Sequence, residues 1–153
     1  MNHVEIRIVE PTNQDLILLI SKLDKELLER YPVNNIFGVD FCSPKINDIT
    51  FAIAYLDSMP VGCGALRPID KESIELKRFF VDPSFRKKGI ATKLLVFLET
   101  KAKSLGFKII RLETGIKQLE AIQLYKKFGF YQIECFGDYV GAKMSVCLEK
   151  KVI

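Results

Sequence analysis

The chain is poor in the residues that hold metals and cross-links. Histidine occurs once, as His3, and the four cysteines, Cys42, Cys63, Cys135 and Cys147, are scattered without a C-x-x-C pair. That spacing speaks against a metal site and predicts reduced, mostly buried thiols in a cytoplasmic protein. No apolar run approaches the length of a membrane span. Residues 1–10 alternate polar with apolar and carry Glu5 and Arg7, so they lack the uncharged apolar stretch of a signal peptide. Two nucleotide loops are missing as well, G-x-x-x-x-G-K-S/T and G-x-G-x-x-G. Nor is there an internal repeat, a linker or a low-complexity tract. A net charge of +4 is too mild to mark a nucleic-acid surface, and it suits a small anionic ligand equally well.

What is present is ordinary globular material. The 153 residues, 48% hydrophobic and 27% charged, are enough for one domain with a real core, taken here as residues 1–153. Residues 4–9 alternate and read as a strand stopped by Glu10-Pro11. Thr12 or Asn13 can cap a helix with Leu16, Leu19, Ile20, Leu23, Leu27 and Leu28 at helical spacing. Residues 33–46 read as a loop or short helix. Three strands follow over 49–56, 61–66 and 73–81, joined by short turns.

Then the pattern changes. A basic loop over 85–89 leads into a helix over 90–105 that buries Ile90, Ala91, Leu94, Leu95, Leu98, Ala102 and Leu105, with Gly106 just past its end. The apolar run 107–112 suits a buried strand parallel to the one before that helix. A helix over 119–128 buries Leu119, Ile122, Tyr125 and Phe128 and is capped by Gly129; strands over 130–136 and 144–148 close the chain. The order β-α-β-β-β-α-β-α-β-β predicts an α+β fold: one mixed, mostly antiparallel sheet of six or seven strands with about four helices packed on it.

The most informative stretch is Arg86, Lys87, Lys88, Gly89, Ile90, Ala91 and Thr92, between a strand end and a helix start. A helix N-terminus leaves backbone N–H groups unpartnered and carries partial positive charge, so it holds anions such as pyrophosphate. Gly89 admits the anion close to the backbone, the basic side chains add charge at the rim, and Thr92 can donate a hydroxyl. As four residues R-K-K-G is a solvated basic turn; its position at the junction makes it a candidate anion site.

This segment resembles the Q/R-x-x-G-x-G/A acyl-CoA signature of the GNAT superfamily of N-acetyltransferases. Residues 75–83, E-L-K-R-F-F-V-D-P, look like the strand that precedes it, and residues 121–130, A-I-Q-L-Y-K-K-F-G-F, resemble the family's A-x-x-L-Y-x-x-x-G-F segment. The three motifs fall in family order and cover residues 73–130 closely. The resemblance implies a central pair of parallel strands that splay apart around the pantetheine arm of acetyl-CoA. It implies that Phe79, Phe80 and Val81 offer backbone groups to the pantetheine and acetyl group, and that residues 86–91 hold the pyrophosphate. Gln118 stands where the family often has Asn, the one departure among the implied cofactor contacts.

Aminolysis of a thioester needs a neutral amine, a stabilised oxyanion and a proton for the departing thiolate. An alkyl amine of pKa ~10.4 is uncharged in roughly one molecule in 10³ at neutral pH, so a base is needed, often through water. Glu75 matches the family's base position in some members and Glu113, at the end of the neighbouring strand, in others; each is otherwise a charged residue at a sheet edge or a partner for Lys77 or Arg78. Tyr125 is the expected acid, and by composition alone a half-buried aromatic. Residues 31–44 and 137–143 should line the acceptor pocket, with Arg30, Asp40, Asp138 and Tyr139 as polar groups for an amine or a carboxylate.

The expected activity is transfer of acetyl from acetyl-CoA to a primary amine of a small molecule or amino acid, with no metal, nucleic acid or membrane involved. Two alternatives share the fold: a non-catalytic acyl-CoA sensor and an acetyltransferase of protein amines. A DNA-binding reading of the lysines from Lys87 to Lys108 is weaker, because Glu99 interrupts them and no exposed aromatics are interleaved. A homodimer is conceivable through pairing of strand 144–148, if that strand is an uncovered edge.

Overall fold

The computed structural model describes residues 3–153. Strand β1 (Val4–Val9) leads to helix α1 (Gln14–Leu28), whose start is fixed by the Asn13 side chain accepting from the Leu16 amide at 3.0 Å. Leu16, Leu19, Ile20 and Leu23 form its buried stripe. Two one-turn 3-10 helices, Val33–Asn35 and Pro44–Asp48, organise the irregular segment that follows. Strands β2 (Thr50–Leu56), β3 (Met59–Pro68) and β4 (Ser73–Val81) form the meander. After the turn Pro83–Phe85 come α2 (Ile90–Ser104), β5 (Ile109–Gly115), α3 (Leu119–Lys127) and β6 (Tyr131–Ile133). A last turn, Gly137–Tyr139, precedes β7 (Ser145–Lys151).

All seven strands join one sheet in the order β1-β2-β3-β4-β5-β7-β6. Every pairing is antiparallel except β4 with β5, the parallel pair that the crossover through α2 dictates. The architecture is the expected one, with three α-helices and four single-turn helices in place of about four helices. A core lies on each face. Ala52, Ala54, Leu76, Leu94 and Leu98 belong to the core under α2, while Phe51, Ile53, Tyr55 and Phe80 pack with Leu16, Leu19 and Leu23 of α1. Strand β2 is buried on both sides, and its small alanines on one face admit α2 close to the sheet. A fully buried leucine contributes about 1.5–3 kcal/mol against a few tenths for helix propensity, so packing on the sheet holds α2 in place.

The functionally decisive feature is a bulge in β4. Cys63 opposes Phe80 and Ala65 opposes Lys77, so Gly64 alone faces the two residues Arg78 and Phe79. Arg78 absorbs the extra residue in a left-handed conformation, φ +52°. Gly64 has to be small there: a Cβ would lie 2.7 Å from Leu98 Cδ1 of α2. Past the bulge, β4 leaves its neighbour. Only Ser73 to Leu76 pair with Ile109 to Leu112, and beyond them the parallel strands part.

Several expectations need correction. The last strand is not an edge of the sheet, because β7 lies between β5 and β6, although β6 covers only Cys147 to Glu149 of it. Leu119 is exposed, not buried, since it faces the groove that α3 shares with the N-terminus of α2; Leu105, at the end of α2, is exposed too. Strand 107–112 is displaced to Ile109–Gly115, which puts Glu113 inside the strand, not at its end. The cysteines are all free: Cys63 and Cys147 are buried, Cys135 is partly so and Cys42 is exposed.

Candidate active site

The parting of β4 and β5 opens the sheet between two cavities. The larger, about 600 Å³, runs from the α2 N-terminus past Phe79, Phe80 and Val81 to Gln118, Ala121 and Tyr125. The smaller, about 100 Å³, lies on the other side of the opening and is lined by Lys77, Arg78, Glu113, Tyr31 and Phe37. Phe79, Gln118, Ala121 and Tyr125 border both.

At the mouth of the larger cavity the chain builds an anion cradle. Lys87 and Gly89 are both left-handed, φ +63° and +79°, which turns the intervening backbone into a concave loop. Gly89 is the helix N-cap and supplies no side-chain cap. The Lys93 amide bonds to the Gly89 carbonyl at 3.2 Å and closes the first turn, so the amides of Ile90, Ala91 and Thr92 precede the helical ladder. Lys87, Lys88 and Thr92 are exposed at the rim, with the Lys88 ammonium 5.8 Å from the Phe85 ring centroid. Arg86 is committed inward. Its Nε donates to the Val81 carbonyl at 2.8 Å, and Nη2 binds both oxygens of Glu26 on α1 at 2.9 and 3.1 Å. Those contacts tie the loop to α1 and β4, so the groups left at the cradle are its backbone amides and the two exposed lysines. Gln118 is engaged as well, accepting from Arg30 Nη1 at 2.7 Å across the groove.

Tyr125 is buried with its ring edge-on to Phe79 and Phe130, at centroid distances of 6.0 and 5.8 Å. Burial pushes its phenol well above the ordinary value and the nearby Glu113 adds to the shift, so it keeps its proton. The same aromatic stack thus serves packing and position.

The two carboxylates from the sequence are separated by the fold. Glu113 lines the small cavity, accepts from the Ser145 hydroxyl at 2.6 Å, and has its pKa raised, burial being the main cause. Glu75 is 1% exposed and lies behind Tyr139. Arg67 Nη2 reaches its Oε1 at 2.5 Å and the Tyr139 hydroxyl donates to its Oε2 at 2.5 Å. Both oxygens are occupied, and Glu75 faces an outer groove of about 800 Å³ with Arg67 and Arg111, not the small cavity. Tyr139 itself is wedged edge-on between Phe37 and Phe136, at 5.0 and 5.3 Å.

The sequence passed over two residues of the small cavity, Lys77 and Arg78. Lys77 is buried and donates to the Tyr139 hydroxyl at 2.7 Å; desolvation lowers its pKa while Glu75, at 3.7 Å, works the other way. Arg78 donates to Asp24 of α1 at 2.8 Å and presses against Gly38, where a Cβ would lie 3.0 Å from Nη1. The signal was a basic pair set into a buried strand, E-L-K-R-F-F-V. Of the polar groups expected around the acceptor, Arg30 turns to the larger cavity, Asp40 caps the Cys42 amide, and Asp138 faces the outer groove. Tyr31 does line the cavity, and its hydroxyl accepts from the Lys117 amide at 2.9 Å. Gly115 lets it in: a Cβ there would fall 2.0 Å from the Tyr31 oxygen.

The model of the acetyltransferase (GNAT) family matches residues 22–130. This chain belongs to the GNAT family. A relative from Azospirillum brasilense named IAA acetyltransferase is 36% identical over 98% of this chain and 99% of its own length. YsnE of Bacillus subtilis, described as an uncharacterized N-acetyltransferase, is 29% identical over 97% and 100%. Among solved structures, an acyl-CoA N-acyltransferase assigned in Klebsiella pneumoniae has a TM-score of 0.87 and 30% identity, covering 98% of both chains. A GNAT acetyltransferase from Elizabethkingia anophelis, solved with acetyl-CoA bound, shares the fold at a TM-score of 0.72 and 19% identity over 97% of both. The GNAT chain is an acetyl-CoA-dependent N-acetyltransferase by family. Among its described residues no three His, Cys, Asp or Glu gather as a metal-holding group, and no helix is long and apolar enough to cross a membrane.

Proposed function

We propose that residues 1–153 form a single cytoplasmic catalytic domain that transfers the acetyl group of acetyl-CoA to a primary amine of a small molecule or amino acid by direct attack in a ternary complex. The observation that carries this reading is the meeting of the two cavities at Tyr125, with an anion cradle at the far end of one and a desolvated carboxylate in the other.

Acetyl-CoA supplies the thioester. The amides at the α2 N-terminus, with Lys87 and Lys88, bind its pyrophosphate, and Thr92 borders the same site. Backbone groups of Phe79, Phe80 and Val81, past the last pairing of β4 with β5, align the pantetheine, which takes the place of the missing strand neighbour, while Gln118 closes over it. Glu113 accepts the amine's proton from the side of the small cavity, directly or through one water, which frees the nitrogen lone pair for the carbonyl carbon. As the C–N bond forms and the C–S bond breaks, Tyr125 donates its phenolic proton to the leaving sulfur. Glu75 lies behind Tyr139, where its carboxylate, held by Arg67 and the Tyr139 hydroxyl, fixes that wall of the site. Nothing in this scheme calls for a second copy of the chain.

The test is calorimetric titration with acetyl-CoA, followed by thiol-release assays over amines and amino acids. Binding with amine-dependent release of CoA is the expected result. Binding without release over the whole panel would leave a sensor, release with protein amines alone would make it a protein acetyltransferase, and no binding would end the proposal.

A further inference from the structure

We propose that the acceptor is an α-amino acid with a small apolar side chain, and that Lys77 and Arg78 hold its carboxylate while Glu113 faces its amine. This rests on the transferase reading above and names the substrate class of that same site.

The argument starts from cations where an amine must bind. An enzyme for a simple amine or a diamine gains by lining its acceptor cavity with acids or aromatic faces. This cavity instead brings two cationic side chains from adjacent residues, each with its side chain 5% exposed. Both have donors to spare. An ammonium carries three N–H bonds and a guanidinium five. Lys77 uses one on Tyr139 and lies 3.7 Å from Glu75, whose two oxygens are already taken by Arg67 and Tyr139. Arg78 uses one on Asp24, which is itself 44% exposed and shared with water. A carboxylate entering the cavity meets two little-exposed cations that each have N–H groups beyond the one already bonded, the setting in which charge-assisted hydrogen bonds are strongest. A second ammonium would meet like charge with little solvent to screen it, which disfavours diamines and polyamines.

The bulge explains how two neighbours can serve one anion. In a regular strand residues 77 and 78 would point to opposite faces. The left-handed turn at Arg78 keeps its side chain on the α1 face, where it reaches Asp24, beside Lys77. Glu113 belongs to β5 across the opening, so the two cations and the base flank the void from both strands. In an α-amino acid the nitrogen and the carboxyl carbon share one carbon atom, a separation that suits a void of about 100 Å³. Among the remaining walls, Leu27, Ile36 and Phe37 form an apolar side that receives the side chain, with Asn35, Thr114 and Gln118 elsewhere on the lining. A protein N-terminus carries an amide in place of that carboxylate and continues into a chain for which the cavity has no room.

The experiment compares matched acceptors on the wild-type protein in the thiol-release assay: L-leucine, L-leucinamide and isoamylamine, with the same triplet built on L-valine. The uncharged amide has the more easily deprotonated amine, so chemistry alone favours it. The expected result is a kcat/KM for the amino acid at least ~10-fold above both partners, carried by KM. Lys77→Met should remove that preference through KM, and Lys77→Arg should restore part of it. An amide or simple amine used equally well or better overturns the inference and leaves the transferase standing. So does CoA release with amines when no amino acid is acetylated. Failure to bind acetyl-CoA at all overturns the underlying reading and this inference with it.

Discussion

The Lys77 ammonium donates to the hydroxyl of Tyr139, 62 residues further along the chain, at 2.7 Å, and that hydroxyl in turn donates a hydrogen bond to Glu75. One phenol thus satisfies a buried cation and a buried anion at once. Its pKa is pushed far up, by burial first and by the Glu75 charge second, so it remains a donor throughout the physiological range.

Tyr139→Phe keeps the ring between Phe37 and Phe136 and removes only the bridging oxygen. The expected cost is about 1–3 kcal/mol, the penalty of leaving buried charged groups short of a partner. Urea unfolding should show a lower midpoint at unchanged slope. A midpoint equal to wild type would mean that water fills the gap and that the bridge adds nothing.

Tyr125→Phe tests the acid. Turnover should fall by ~10²-fold or more, while acetyl-CoA affinity holds because ring packing on Phe79 and Phe130 survives. Steady-state kinetics beside calorimetry separates the two effects. Normal kcat in this variant would remove Tyr125 from proton transfer and leave it as a wall.

Gly89→Glu tests the cradle. The position is left-handed and nothing lies within 4 Å of a new Cβ, so the side chain itself meets no clash. The left-handed backbone costs a β-carbon roughly 1–2 kcal/mol, and a carboxylate at the helix N-terminus opposes the pyrophosphate. Acetyl-CoA affinity should drop by ~30-fold or more, the equivalent of about 2 kcal/mol. Gly89→Asn tolerates the same backbone without the charge and should retain most of the affinity. Equal losses in both variants would point to backbone strain and not to charge.

Glu113→Gln couples activity to pH and to stability in opposite directions. Burial raises the Glu113 pKa above its ordinary 4.5, so a base at this position ionises later than a surface glutamate. Wild-type kcat should rise with pH through that raised value, and the variant should lose this limb along with ~10²-fold or more of its turnover. For stability the sign reverses. The folded chain binds this proton more tightly than the unfolded chain, so its contribution is full below the unfolded pKa and is lost as pH climbs through the folded one. Glutamine cannot ionise, so the variant should gain on wild type in melting temperature as pH rises from about 4 to about 8. A constant difference between the two across that range would show that Glu113 titrates alike in both states.

Local punctuation made most of the fold legible. Strand Val4–Val9 and strand Ser73–Val81 match their sequence readings to the residue, because alternation is interrupted by Glu10-Pro11 and by Asp82-Pro83. The phosphate loop was readable for the same reason, since its glycine and its helix are adjacent in sequence. Leu119 was misplaced because helical periodicity carries no information on which apolar position faces an open groove. The acceptor side was harder, since it depends on contacts between distant segments. Tyr139 sits among glycine and aspartate in a loop, and only Phe37 and Phe136, brought up from elsewhere, bury it. Glu75 and Glu113 looked alike as strand glutamates, and what separates them is Arg67 from another strand and the phenol of that loop.

The bulge at Arg78 makes β4 a strand whose count matters more than its spelling. Side chains along a strand alternate like steps of a left and a right foot, and Arg78 is the one extra step. Substitutions at Phe79, Phe80 or Val81 alter one contact each. Removing Arg78 would leave all three on their present faces, since Lys77, Phe79, Phe80 and Val81 would then alternate regularly with Gly64 opposite Phe79, but without the kink β4 could run on beside β5 with no parting. Loss of a single residue would therefore do what no replacement in the strand can do, and close the passage through which the two substrates meet.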